Sequence, residues 1–197
     1  MSDTLTRTQK RQKETKERIF LVAMRLFEEK GFENTTVSEI TEAADIGKGT
    51  FFTYFPTKEA VFKQLGEMTM EMMSATAEAG IKAKQSIPLV LKNTITASAD
   101  WHEANKPITQ QMVRLNVSTE PNTPNKRRFL ELLINLIHIG QENGELNDDV
   151  DVQDAALVLA AIYFTAVSFW ALTENVSLRE KLTSSVDVVF KGLSARS

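Results

Sequence analysis

The stretch TVSEITEAADIGKGTFFTYFPTKEAVF, residues 36–62, decides the fold. Its opening Thr36-Val37-Ser38-Glu39 reads as a capping box: the threonine hydroxyl can accept the Glu39 amide while the Glu39 carboxylate reaches back. Val37, Ile40 and the Ala43-Ala44 pair supply the buried side of the short helix that follows. Asp45-Ile46-Gly47 has room only for a tight turn. Lys48 to Phe55 then forms another short helix, which Pro56 stops because its ring cannot continue the hydrogen-bond ladder. Two short helices across a three-residue turn are a helix-turn-helix, whose second helix enters the major groove of DNA.

At about 100° per residue, Phe51 and Phe55 share one face of that second helix, joined by Ile46 from the turn. Gly49, Thr50 and Thr53 point the opposite way, with Phe52 and Tyr54 on the flanks. Lys48 stands at the helix start, where its charge and the free amides can meet phosphate. Gly49 lets the backbone come close to DNA, and Lys58 opens the next helix within reach of a sugar-phosphate strand. Upstream, Ile19, Phe20, Ala23, Leu26 and Phe27 recur at helical spacing from about Lys13 to Gly31, a glycine placed to cap in the left-handed αL region. Residues 1–12 read as a mobile basic arm: residues 1–18 hold six Lys/Arg against three acids, charge that can follow phosphates or a minor groove.

Residues 14–65, with ERIFLVAMRLFEEKGFENTT upstream and Lys48-Gly49-Thr50, Phe51, Tyr54-Phe55 and Pro56-x-Lys58-Glu59 at the right mutual spacing, resemble the DNA-binding segment of the TetR/AcrR family of bacterial transcriptional regulators. Residues 66–197 resemble the family loosely, through GQENGELNDDVD before an apolar helix and LREKLTSSVDVVFKGL at the end. The resemblance implies a homodimer reading a palindromic double-stranded operator, with a helical body that holds an effector pocket. It implies phosphate contact at Thr36, groove contacts from Lys48, Gly49, Thr50 and Thr53, and backbone contacts from Tyr54 and Lys58. Two residues depart from the family's habit. Asp45-Ile46-Gly47 lacks a turn serine, and Phe52 stands where a tyrosine is frequent, which leaves a ring able to touch a thymine methyl.

The whole chain has 197 residues, 42% of them hydrophobic, and a formal charge of −3, so it is no polybasic nucleic-acid glue. With no cysteine, disulfide scaffolds, thiolate catalysis and Cys-based metal sites are excluded together. Eight Gly and five Pro are too few for a loop-rich fold. The expected architecture is all-α with about nine helices: a homeodomain-like helix-turn-helix domain over 1–60 (arm 1–12, motif about 36–55), then a ligand-binding and dimerisation domain over 61–197. Its helices are expected at 57–80, 87–104, 108–117, 125–143, 152–174 and 177–193. Ala155 to Thr173 carries no charge, but its acidic flanks and lack of basic anchors speak for a buried helix rather than a membrane span. A cytoplasmic location follows. The chain shows no nucleophile elbow, P-loop or zincin motif, and neither histidine has a partner at metal-ligand spacing, so neither enzyme activity, a metal nor a cofactor is expected.

Met68, Met72, Trp101, His102, His138 and Tyr163 are candidates for an effector pocket, because they set adaptable, aromatic and isolated polar groups in apolar helices. Such a pocket would take a largely apolar small molecule. The long helix opening at Thr57 is the candidate lever between ligand and DNA. Leu178, Leu182, Val186, Val189 and Leu193 form one stripe on the last helix. With Ala161 and Ser168 on the preceding helix, they are the candidate dimer interface, a four-helix bundle about a two-fold axis. An architectural DNA binder without an effector and an all-helical enzyme or carrier are the rival readings. A packed body without a cavity would favour the first, and an absence of DNA binding the second.

Overall fold

The computed structural model describes residues 6–114 and 123–192. The expected continuation of one helix to residue 117, the stripe position Leu193 and the first five residues of the arm lie outside them. Among the described residues there are ten α-helices and no strands. They divide into two compact units, Met1–Leu65 and Gly66–Ser197, so the boundary falls within a helix, five residues beyond the expected 60.

The first unit holds α1 (Arg7–Lys30), α2 (Val37–Ala43), α3 (Lys48–Tyr54) and the start of α4 (Ala60–Lys82). Helix α1 begins at Arg7, inside the segment expected to be a mobile arm. A second capping box explains this: Thr6 accepts the Gln9 amide and the Gln9 side chain accepts the Thr6 amide at 2.8 Å. At the other end Gly31 has φ +83° but ψ 153°, so it leaves the helix through a glycine-favoured region other than αL. The core of this unit is aromatic. Phe27, Phe32 and Phe62 pack edge-on or tilted with centroids 5.0–5.6 Å apart, while Phe51 and Phe55 close the underside of α3.

The second unit continues α4 and adds α5 (Ile87–Thr96), α6 (Ala99–Ala104), α7 (Lys106–Arg114), α8 (Pro124–Glu142), α9 (Val152–Ala171) and α10 (Leu178–Lys191). The single helix expected over 87–104 is two. Thr96 turns its hydroxyl back onto the carbonyls of Lys92 and Asn93, and Ser98 sits at φ −90°, ψ −2° before α6. Such local bonds compete with the helical ladder. The core is built from Met70 and Met73 of α4, Leu91 and Ile95 of α5, Leu133 and Leu136 of α8, Leu159 and Tyr163 of α9, and Leu182 of α10. Helix α8 comes close to α5 at Gly140, where a Cβ would meet Ile87 at 2.9 Å and Leu146 at 2.6 Å. The end of α9 is tied down by α7. Lys106 donates to the Thr173 carbonyl, and Gln110 donates to that of Ala171 at 2.9 Å.

Helix α9 is the one described helix long and apolar enough to cross a membrane by length and composition. One side of it, through Ala156, Leu159, Tyr163, Ala166 and Trp170, lies in the core of the second unit.

Candidate functional site

Three arrangements carry chemistry. The first is the outer surface of α2 and α3. Thr36 forms its expected box: the Glu39 amide donates to Oγ1 at 3.2 Å and the Thr36 amide donates to the carboxylate at 2.8 Å. Lys30 of α1 donates to the same carboxylate at 2.7 Å. That bond, followed by those from Thr36, draws the Glu39 carboxyl down to about 2. The box therefore ties the end of α1 to the start of α2.

On α3, Phe51 and Phe55 are buried, Lys48, Gly49, Thr50, Phe52 and Thr53 are exposed, and Tyr54 is half-buried. This is the facing expected from the helical period. Gly49 is the informative member, since a Cβ there would meet nothing within 4 Å. A helical glycine costs about 0.8–1.0 kcal/mol relative to alanine, and no internal contact requires this one.

Lys58 departs from expectation. Its ammonium donates to the carbonyls of Phe32 at 2.6 Å and Thr35 at 2.9 Å, and it lies 4.1 Å above the Phe32 ring. Two of its three hydrogens are thus held inside the unit, because the turn after α1 leaves carbonyls that α2 does not satisfy. Lys58 fastens that turn rather than projecting toward a phosphate strand.

The second arrangement is a polar cluster inside the second unit. His102 Nδ1 lies 2.9 Å from Thr109 Oγ1, its Nε2 lies 3.3 Å from the Tyr163 hydroxyl, and that hydroxyl lies 2.9 Å from Ser98 Oγ. All four residues are buried. The chain can run in either direction; the one that also lets Thr109 donate to the Asn105 carbonyl has Nδ1–H donating to Thr109, Tyr163 to Nε2 and Ser98 to Tyr163. Burial takes His102 down to about 4, so the ring is neutral, and takes Tyr163 up to about 12 against the opposing bond from Ser98. The buried Thr94 hydroxyl, on α5 four residues before Ser98, has no hydrogen-bond partner. Phe129 and Phe164 pack their rings 5.2 and 5.3 Å from that of Tyr163.

Of the six candidate pocket residues, the structure brings together Trp101, His102 and Tyr163, with the indole edge-on to the imidazole at 5.4 Å. Met68 and Met72 are half-buried on α4, where Met70 and Met73 enter the core instead. His138 does not belong. It lies on the exposed side of α8 and faces Glu142 at 3.3 Å, because Leu136, Ile137 and Gly140 take the inward positions. Ser98 and Thr109 were missed. A signal for Ser98 lies in its spacing: Thr94, Ser98 and His102 recur every four residues.

The third arrangement is an apolar face. Leu157, Val158, Ala161 and Phe169 of α9 and Leu172 at its C-cap are exposed, as is Val189 of α10, and Ser168 is half-buried beside them. A groove of about 480 Å³ runs along this face between Val158, Ala161, Thr165 and Phe169 of α9 and Lys181 and Ser185 of α10. Leu178, Leu182 and Val186, expected at a subunit interface, are fully buried. Their stripe closes the unit's own core against α9 and α5.

Residues 19–65 match the family model described as bacterial regulatory proteins, tetR family. The chain is 24% identical over 170 residues to the fatty acid metabolism regulator protein of Bacillus subtilis (strain 168), covering 83% of this chain and 87% of the relative. The crystal structure of Thermus thermophilus FadR, a TetR-family transcriptional repressor in complex with lauroyl-CoA, superposes with a TM-score of 0.75 at 27% identity, covering 92% of this chain and 96% of that one. A Bacillus subtilis FadR in complex with stearoyl-CoA shares the fold at a TM-score of 0.69 and 20% identity, over 90% of this chain and 99% of that one.

Proposed function

This chain belongs to the TetR/AcrR family of bacterial transcriptional regulators, and on that premise we propose that it is a homodimeric repressor released from a palindromic operator by an acyl-chain effector. The observation that carries the DNA-binding half is the outer face of α3. It presents Lys48, Gly49, Thr50, Phe52 and Thr53 to solvent over a fully buried Phe51–Phe55 underside, and no internal contact requires the glycine at 49. Thr36 and Tyr54 flank that face.

The homodimer is supported by the exposed α9 face. One recognition helix covers too few base pairs to be selective, so two must be held at about 34–36 Å, one helical turn of DNA. The effector half is supported by the buried Ser98–Tyr163–His102–Thr109 chain within an aliphatic and aromatic interior. Neutral hydroxyl and imidazole groups in an apolar setting suit a ligand with a long apolar part and an uncharged carbonyl, such as a thioester. The two FadR proteins bind lauroyl- and stearoyl-CoA. Release follows from differential affinity: a ligand preferring a body conformation unsuited to the operator lowers DNA affinity by that preference. The protein would act in the cytoplasm, with its DNA.

The test is selection of bound duplexes from a random pool, followed by titration of the recovered site with lauroyl-CoA and stearoyl-CoA. A palindrome released by either acyl-CoA is the expected result. No enrichment overturns the DNA-binding reading, and a palindrome indifferent to both compounds overturns the effector reading alone.

A further inference from the structure

We infer that α3 reads its operator through thymine methyl groups, with Phe52 as the principal reader; this rests on the DNA-binding role proposed above and specifies its target. Side chains that identify a purine in the major groove do so with two hydrogen bonds, Arg or Lys to guanine and Asn or Gln to adenine. Helix α3, KGTFFTY, has no Arg, Asn, Gln, Asp or Glu, and its one such group is Lys48 at its first position.

The remaining outward groups are short or apolar. Gly49 offers bare backbone with open space above it. Thr53 donates its hydroxyl to the Gly49 carbonyl at 2.9 Å, so that hydrogen serves the helix, and the methyl and the acceptor side of the oxygen are left to a partner. Thr50 keeps a hydroxyl, which bonds to any base and discriminates little. Phe52 is 49% exposed, and its ring stands edge-on (89°) to the fully buried Phe51 at 5.4 Å. The exposed ring thus rests against a buried neighbour on one side and is open on the other.

The face is therefore flat at Gly49, with one exposed apolar ring and one methyl beside it. The C5-methyl of thymine is the apolar group that a standard base pair displays in the major groove. Matching the two puts A·T pairs under α3, with thymine on the strand that meets Phe52, and leaves G·C pairs there unread apart from what Lys48 contacts.

Uracil tests this, because it pairs as thymine does and lacks only the methyl. The site recovered by selection is remade with dU replacing dT at single positions, and affinities are measured for the full-length protein, Phe52→Ala and Phe52→Met. The wild-type protein should lose about fourfold at each contacted methyl, the equivalent of about 0.8 kcal/mol per buried methylene-sized group. Phe52→Ala should bind the dT site more weakly and no longer distinguish dT from dU. Phe52→Met, which keeps apolar reach, should restore the distinction. Circular dichroism verifies that both variants fold. Equal wild-type affinity for the dT and dU sites overturns the inference while leaving the regulator intact, as does full discrimination by Phe52→Ala. Failure to recover any site overturns the DNA-binding reading with it.

Discussion

The two units bond their polar groups differently, the first mostly to nearby backbone and the second side chain to side chain. In the first, Thr36, Glu39, Lys30 and Lys58 work at or near the surface, the buried Thr35 and Thr41 hydroxyls bond to nearby backbone carbonyls, Gln64 Oε1 is buried without a partner, and the interior holds packed phenylalanines. In the second, Ser98, His102, Thr109 and Tyr163 form a chain in the middle of an apolar core, and Thr94 is buried there with its hydroxyl unpaired. An unsatisfied buried hydroxyl costs about 1–3 kcal/mol, and a dry core needs none. The first unit uses most of these groups at helix ends and turns, and the second links four of them to one another inside its core.

The largest effects should separate the two sides of the α9–α10 pair. Val186→Glu places a carboxylate where no water reaches and should destabilise the second unit by about 4 kcal/mol or more. Phe169→Glu, on the exposed face, should leave the fold intact and convert the proposed dimer to monomers with lost operator affinity. Denaturant unfolding and sedimentation on both variants check this. A folded dimeric Val186→Glu protein, or a Phe169→Glu protein that stays dimeric, breaks the assignment of inside and outside.

An intermediate effect should come from acid. His102 falls from 6.5 to about 4 on folding, so the unfolded chain takes up a proton that the folded unit refuses. The stability this contributes is complete above pH 6.5 and is lost progressively as pH falls from there toward 4, by about 3 kcal/mol in all. Unfolding of wild type and His102→Gln across pH 4–7 should show this His102-dependent slope only in the wild type. Equal slopes would mean that water reaches the ring, which would remove the contrast between the two units.

Legibility followed the same division. In the first unit, short-range chemistry was decisive: a cap at Thr36, a three-residue turn, a proline at 56 and a helical period together left one facing for α3. What escaped notice there was a long-range bond, Lys58 to the carbonyls of Phe32 and Thr35, more than twenty residues away. In the second unit, periodicity located the helices but not their partners. The stripe of Leu178, Leu182 and Val186 reads the same whether it meets its own chain or a second copy, and α9, apolar nearly all round, had surface enough for both. His138 and His102 were likewise equivalent in sequence. Only packing put one in solvent beside Glu142 and the other in the core.

The smallest effect is the sharpest test of the reader. Gly49→Ala adds one methyl group where nothing lies within 4 Å, at a position with an ordinary helical backbone. Judged on the protein alone, the change should be favourable by up to about 1 kcal/mol, since alanine loses less conformational freedom in a helix than glycine does. If the flat patch at Gly49 exists to let backbone approach a duplex, that same methyl must weaken DNA binding. The expected outcome is a pair of opposite signs: a higher unfolding midpoint for the first unit and a lower affinity for the selected operator. Thermal unfolding and fluorescence anisotropy on one preparation measure both. A variant that gains stability and keeps its affinity would show that α3 does not lie close against the groove at Gly49. The Phe52 ring would then stand too far from the bases to find a methyl group.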